Sequence, residues 1–260
     1  IGYVENDGGK ETKVINCTVE GLVLNNHDHA EAGSTGGLIG CINVGKATVE
    51  NSYVKNSTFN LIRKSVEAKR ANSELIGVIR GGVVVSLLNC GVEGNTYTCT
   101  PDTWTAYYEK LVGGNYNATL IVNGKTIIQT TESTNLTDLR GSGVVDFSNG
   151  FNNTGDPNSD YIQVNEGDWT FENGNVISGS TADYGFIVKG GNSTATYNNV
   201  AIESKGGGIA AADGGEVIFN SGSLAVNSAS TSGRYLFYAE GEGSTITING
   251  GTFSFSKTLN

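Results

Sequence analysis

Methionine is absent from this chain, and only 2 of its 260 residues are proline and 2 histidine. Two histidines leave little for imidazole chemistry. No run of about 18 apolar residues occurs, so no segment reads as a membrane-spanning helix, and no membrane insertion is expected. Basic charge is scarce: 16 Lys and Arg stand against 26 Asp and Glu, for a net charge of −10 and a pI near 4.7. Nucleic acid is therefore not an expected partner, because phosphate contacts need clustered cations. An anionic membrane surface is disfavoured for the same reason. The chain opens directly on Ile1-Gly2-Tyr3-Val4, which reads as a strand with neither an initiator methionine nor a signal-peptide pattern, and it is read as a trimmed piece of a longer protein.

Glycine, by contrast, is abundant, at 38 residues, and Asn, Ser and Thr accompany it. Glycine costs about 1 kcal/mol relative to alanine inside a helix, whereas Val, Ile and Thr suit a pleated surface. Many short strands with Asn/Gly bends follow, hence an all-β class. The four cysteines, Cys17, Cys41, Cys90 and Cys99, lack Cys-x-x-Cys spacing and read as buried small hydrophobes. In an exported protein Cys90 and Cys99 can instead close a disulfide.

Internal repetition is the strongest signal. Ile1-Gly2-Tyr3-Val4 recurs as Leu38-Ile39-Gly40-Cys41-Ile42 and as Leu75-Ile76-Gly77-Val78-Ile79, with the glycines 38 and 37 residues apart. A second block repeats in step. It puts Val14, Val49 and Leu87 in one column, Val19, Val54 and Val92 in another, and Leu24, Phe59 and Tyr97 in a third, with Asn16, Asn51 and Asn89 at a shared bend. Repeated asparagines at a bend can form a ladder of side-chain hydrogen bonds. Further along, Gly167, Gly191, Gly215 and Gly243 suggest a shorter repeat of about 24 residues, carrying Trp169-Thr170-Phe171, Ala195-Thr196-Tyr197, Val217-Ile218-Phe219 and Ile246-Thr247-Ile248. These patterns predict a right-handed parallel β-helix, or β-solenoid, as one array or two abutting ones. The expected division is a repeat region over 1–114, a connecting hairpin and polar loop over 115–160, and coils of about 24 residues over 161–260. The hairpin is read at Ala118–Ile128 around Asn123-Gly124, the polar loop at Ser148–Asp160, and a helix at Ser65–Glu74.

Gly36-Gly37-Leu38-Ile39-Gly40, followed by Val49-Glu50-Asn51-Ser52-Tyr53-Val54, resembles the GLUG repeat of bacterial surface and adhesin-like proteins. Leu111-Val112-Gly113-Gly114 looks like the start of a further copy. The later coils resemble pectate-lyase-like β-helices of surface proteins from gut anaerobes. These resemblances imply export, a bacterial cell-surface setting and a polysaccharide or host-glycan partner; they imply no catalytic residue.

Catalytic signatures are sparse. A polygalacturonase-type Asp-Asp pair and Gly-His-Gly element are missing. Arg234 has only Asp156, Asp160 and Asp183 as acidic candidates for a lyase site. His27-Asp28-His29 reads as a solvated loop rather than a metal clasp, because neighbours in an extended chain point to opposite faces. Gly206-Gly207-Gly208 reads as a bend, not a phosphate cradle. No catalytic residue, metal or cofactor is assigned. Binding remains: Trp104, Tyr107 and Tyr108 bring three aromatics together where the repeat pattern breaks, as sugar-stacking rings or as the cover over the end of the first array. The sequence thus points to a non-catalytic exported surface module serving adhesion, glycan contact or spacing. A carbohydrate-active β-helix enzyme, or an inactive relative, is the alternative. Phe253-Ser254-Phe255 suggests that further domains of the same chain follow.

Overall fold

The computed structural model describes residues 1–5, 10–26, 34–62, 72–100, 108, 110–130, 134–154, 161–181, 183–228 and 234–257. Among these the protein is all-β, and it divides into two compact units, Ile1–Thr126 and Ile127–Asn260.

In the first unit, strands about 37 residues apart pair parallel. Tyr3–Glu5, Ile39–Val44, Ile76–Arg80 and Val112–Tyr116 form one sheet. Glu11–Ile15, Lys46–Glu50, Val84–Leu88 and Thr119–Val122 form the next ladder. Thr18–Glu20, Tyr53–Lys55 and Gly91–Glu93 follow, then Val23–Asn26, Thr58–Ile62 and Thr96–Thr100. The register aligns Val14 with Val49 and Leu87, Val19 with Val54 and Val92, and Leu24 with Phe59 and Tyr97, as the sequence columns predict. Val49, Val54, Phe59 and Leu87 are fully buried, while Val19, Val92, Leu24 and Tyr97 of the same columns are half-buried.

Two backbone devices make this alignment possible. The bend asparagines Asn16, Asn51 and Asn89 hold φ of 57°, 47° and 48°, a left-handed conformation that asparagine tolerates better than most residues. Asn89 Nδ2 donates to Asn51 Oδ1 at 2.8 Å, forming a rung of the expected ladder. The repeated glycines act through close approach. A Cβ on Gly40 would lie 2.5 Å from the Gly2 carbonyl oxygen, on Gly77 2.4 Å from that of Gly40, and on Gly113 2.5 Å from that of Gly77. The short strands Thr35–Gly36 and Asn72–Ser73, paired with each other, press on the same column.

In the second unit the strands are Gly143–Asp146, Gly167–Ser178, Ser193–Ser204, Glu216–Phe219 and Thr245–Ile248, again in parallel register. Val145, Phe171, Tyr197 and Phe219 align, and all four are fully buried. Rings of Phe147, Phe171, Tyr197 and Phe219 stack in turn, with centroids 6.0, 5.0 and 5.8 Å apart. Asn220 Nδ2 donates to Asn198 Oδ1 at 2.9 Å and Asn249 Nδ2 to Asn220 Oδ1 at 2.7 Å, a second asparagine ladder. A separate four-stranded sheet joins Ile162–Val164, Tyr184–Lys189, Gly207–Ala212 and Phe237–Glu240.

Several expectations need correction. The second repeat is uneven: equivalent residues lie 26, 22 and 29 apart, and Gly167 aligns with Ser193 rather than Gly191. The helix expected at Ser65–Glu74 is strand at Asn72–Ser73, where the backbone pairs with Thr35–Gly36; 65–71 lie outside the described residues. The polar loop contains the strand Phe151–Asn153, because Phe151 buries its ring 6.0 Å from Phe147. Gly207 and Gly208 are strand rather than bend, chosen for the absence of a Cβ. Cys90 is a free thiol, not half of a disulfide, and its Sγ donates to the Val49 carbonyl at 3.2 Å. Cys17 and Cys41 are free as well; only Cys41 is buried as expected, Cys17 and Cys90 being half-buried, and desolvation pushes the thiols of Cys41 and Cys90 up, away from reactive thiolate. At the expected hairpin, Thr119–Val122 and Lys125–Gln129 flank Asn123 and Gly124, both at positive φ as a type I′ turn requires.

One buried polar atom interrupts the aromatic stack. The Tyr197 hydroxyl has no hydrogen-bond partner, and burial raises its pKa well above 10. Tyr197→Phe is therefore expected to gain about 1 kcal/mol in urea unfolding, since an unpaired buried hydroxyl costs stability. Because the folded pKa exceeds the unfolded one, the native state holds its proton more tightly. Stability should hold below about pH 10 and fall as pH rises beyond it; the Tyr197→Phe protein should fall less steeply.

Candidate functional site

The outer face of the four-stranded sheet carries a trough of about 190 Å³ in the second unit. Alternation along each strand sets its lining. Ile162, Phe186 and Ile209 point into the core, which turns Gln163, Ile187, Ala210 and Tyr238 outward in one register row. Lys189, Ala212 and Glu240 form the next outward row. Ala210 and Ala212 are the small members of their rows, and the surface is lowest where they sit.

Tyrosines gather beside this floor. A Cβ on Gly207 would lie 2.3 Å from the Tyr184 ring, so glycine there is what lets the ring rest on the neighbouring strand. Tyr184 and Tyr238 stack at 5.4 Å with their planes 6° apart, and Tyr238 and Tyr235 at 5.6 Å and 9°. The series runs from buried Tyr184 to Tyr235, which is 54% exposed, and so presents an aromatic face to solvent on a supported stack. The Arg234 guanidinium lies 5.8 Å from the centre of the Tyr184 ring, within cation–π range.

Polar groups rim the rings. Tyr238 Oη donates to Glu240 Oε2 at 3.0 Å, Lys189 Nζ lies 3.5 Å from Asp213 Oδ2, and the Tyr184 amide donates to Asp183 Oδ1 at 2.8 Å. Burial pushes Tyr184 up to about 12, overriding the opposite pull of Arg234, while the bond to Glu240 raises Tyr238. Both phenols thus stay protonated at neutral pH. They are suited to hydrogen bonding and stacking, not to proton abstraction.

Of the residues singled out from sequence, Trp104 and Tyr107 lie outside the described residues, as do His27-Asp28-His29, Asp156 and Asp160. Tyr108 is half-buried and bridges Val112, its amide donating to the Val112 carbonyl at 3.2 Å, at the entry to the fourth repeat. Of the residues considered together for a lyase site, Arg234 lies over the Tyr184 ring and Asp183, the chain neighbour of Tyr184, accepts from the Tyr184 amide. The tyrosine stack is not apparent in the sequence, because Tyr184 stands some 50 positions before Tyr235 and Tyr238 and meets them only through strand register. A detectable signal was Gly207 aligned opposite Tyr184, with Ala210 and Ala212 two strands from Gln163.

A larger hollow of about 490 Å³ lies in the same unit, lined by Asn149, Asn152, Asn175, Phe151 and Ile177 among others. It has amides but neither stacked rings nor charge. Among the described residues no group of three His, Cys, Asp or Glu side chains is placed to hold a metal ion, and no helix is long and apolar enough to cross a membrane. Comparison with protein-family models, with curated proteins and with solved structures finds no match for this chain.

Proposed function

We propose that this chain is a non-catalytic module of an exported bacterial surface protein, a right-handed parallel β-solenoid that contacts glycans through the tyrosine trough. The observation that carries this reading is the Tyr184–Tyr238–Tyr235 stack, exposed at one end and edged by carboxylate, ammonium and amide groups. Sugar rings offer apolar C–H faces to aromatic planes and hydroxyls to polar edges, which is the combination displayed here. Parallel register between repeats supports the solenoid, and crossovers between parallel strands of one sheet are right-handed in about 98% of cases. The glycine column Gly2, Gly40, Gly77 supports the GLUG-like reading of the first unit, and with it the surface setting.

The test is binding to immobilised polysaccharides. Tyr235→Ala should weaken binding about tenfold while leaving the melting temperature unchanged, because its ring is mostly exposed and supports little of the core. Unchanged binding would dispose of the proposal. The Arg234 guanidinium over the Tyr184 ring, with the carboxylates Asp183 and Glu240 in the trough lining, favours one second reading, a carbohydrate-active enzyme. New reducing ends or unsaturated products released from the same polysaccharides would establish it.

A further inference from the structure

The trough has a direction and a charge, and together they narrow its ligand. Resting on the glycan reading above, we infer that it takes an uncharged linear glycan laid across the strands, about three sugar rings long. The row Gln163, Ile187, Ala210, Tyr238 crosses four strands. Three strand spacings of about 4.8 Å give roughly 14 Å, and one spacing is close to the length of a pyranose ring in a chain. Each ring then spans one interval between neighbouring outward side chains. Gln163 offers its amide at one end, Ile187 and Ala210 give an apolar floor, and Tyr238 closes the row with Tyr235 stacked beyond it.

The rim sets the charge preference. Asp183, Asp213 and Glu240 outnumber Lys189 among the charged residues lining the trough, and Lys189 is engaged with Asp213 at 3.5 Å. Arg234 stands outside the lining, against the Tyr184 ring. A uronate or sulfate chain would meet this acidic rim at distances shorter than the roughly 8 Å over which physiological salt screens charge. A neutral chain instead finds acceptors in the carboxylates and donors in Lys189 and Gln163 for its hydroxyls.

The experiment uses the full chain. Affinity electrophoresis compares hydroxyethylcellulose, galactomannan and arabinoxylan with polygalacturonate, alginate and heparin; calorimetry then follows oligosaccharides of one to six rings cut from the polymer that binds best. The expected result is binding to a neutral polymer, little changed between low and physiological salt, with affinity rising to three rings and levelling off. Ala212→Trp, which fills the trough without removing any polar group, should abolish it, with the melting temperature confirming the fold. Preference for an anionic polymer with tyrosine-dependent binding would overturn the neutral-chain inference and leave the aromatic platform standing. Affinity already level at one ring would overturn the across-strand placement. Binding that ignores both Tyr235→Ala and Ala212→Trp would overturn the glycan reading itself.

Discussion

Gly77→Ala is expected to remove at least about 3 kcal/mol of stability from the first unit, a large share of what a domain of this size holds. One added methyl group does this because of where it would point. It would sit 2.4 Å from the Gly40 carbonyl oxygen and 2.7 Å from backbone atoms of Thr35, and backbone cannot rotate aside as a side chain can. Relief requires the strands Ile39–Val44 and Ile76–Arg80 to separate or the short strand at Thr35 to lift, and both hold the stack together. Gly2 is the internal control. It occupies the first position of the same column, and a Cβ there meets nothing within 4 Å, so Gly2→Ala should cost under about 1 kcal/mol. Urea unfolding of the two variants tests the pair. Similar losses at Gly2 and Gly77 would show that the glycines are not packed carbonyl to carbon.

Phe171→Ala should destabilise the second unit by about 3 to 5 kcal/mol, the range for removing a buried aromatic ring. Phe171 is fully buried and touches rings on several sides: Phe147 at 6.0 Å, Tyr197 at 5.0 Å and Phe186 edge-on at 5.5 Å. Removing it opens a gap in the middle of a column whose members lean on one another, and the strands are too tightly hydrogen-bonded to collapse into it. Phe171→Leu should recover about half of the loss by refilling volume without the ring contacts. Equal losses for the two variants would mean that aromatic stacking, rather than filled volume, sets the stability. Losses below about 1 kcal/mol would mean that the column is not the core.

The difference between the two units explains what could be read from sequence. In the first, the bend and close-approach constraints repeat with the same letters: Gly40 and Gly77 are squeezed by backbone and the Asn column adopts positive φ, while the apolar columns keep their character from copy to copy. Register is therefore legible in the sequence. In the second, the column Val145, Phe171, Tyr197 and Phe219 was legible from its three aromatic members, while the glycines around it were a poorer guide to register. Bends there vary in length, which is why Gly191 was placed two residues out of line with Ser193. The trough was harder still. Outward positions carry no burial signal, and Tyr184 and Tyr238 meet only because Gly207, between their strands, has no side chain. The aromatic run at Trp104 to Tyr108 is dense in the sequence itself, whereas the rings at the trough are assembled by register.

The central claim is that successive repeats lie parallel and in register, each residue beside its counterpart in the next repeat. It is tested most directly by cysteine pairs in a background with Cys17, Cys41, Cys90 and Cys99 replaced by serine. Thr170 and Thr196 are half-buried register partners on adjacent strands. Thr170→Cys with Thr196→Cys should form a disulfide under mild oxidation, because directly paired Cα atoms fall within the 4.4 to 6.8 Å that a disulfide spans. Thr170→Cys with Asn198→Cys, two residues out of step, should remain reduced. Ready crosslinking of the second pair and not the first would contradict the parallel in-register arrangement.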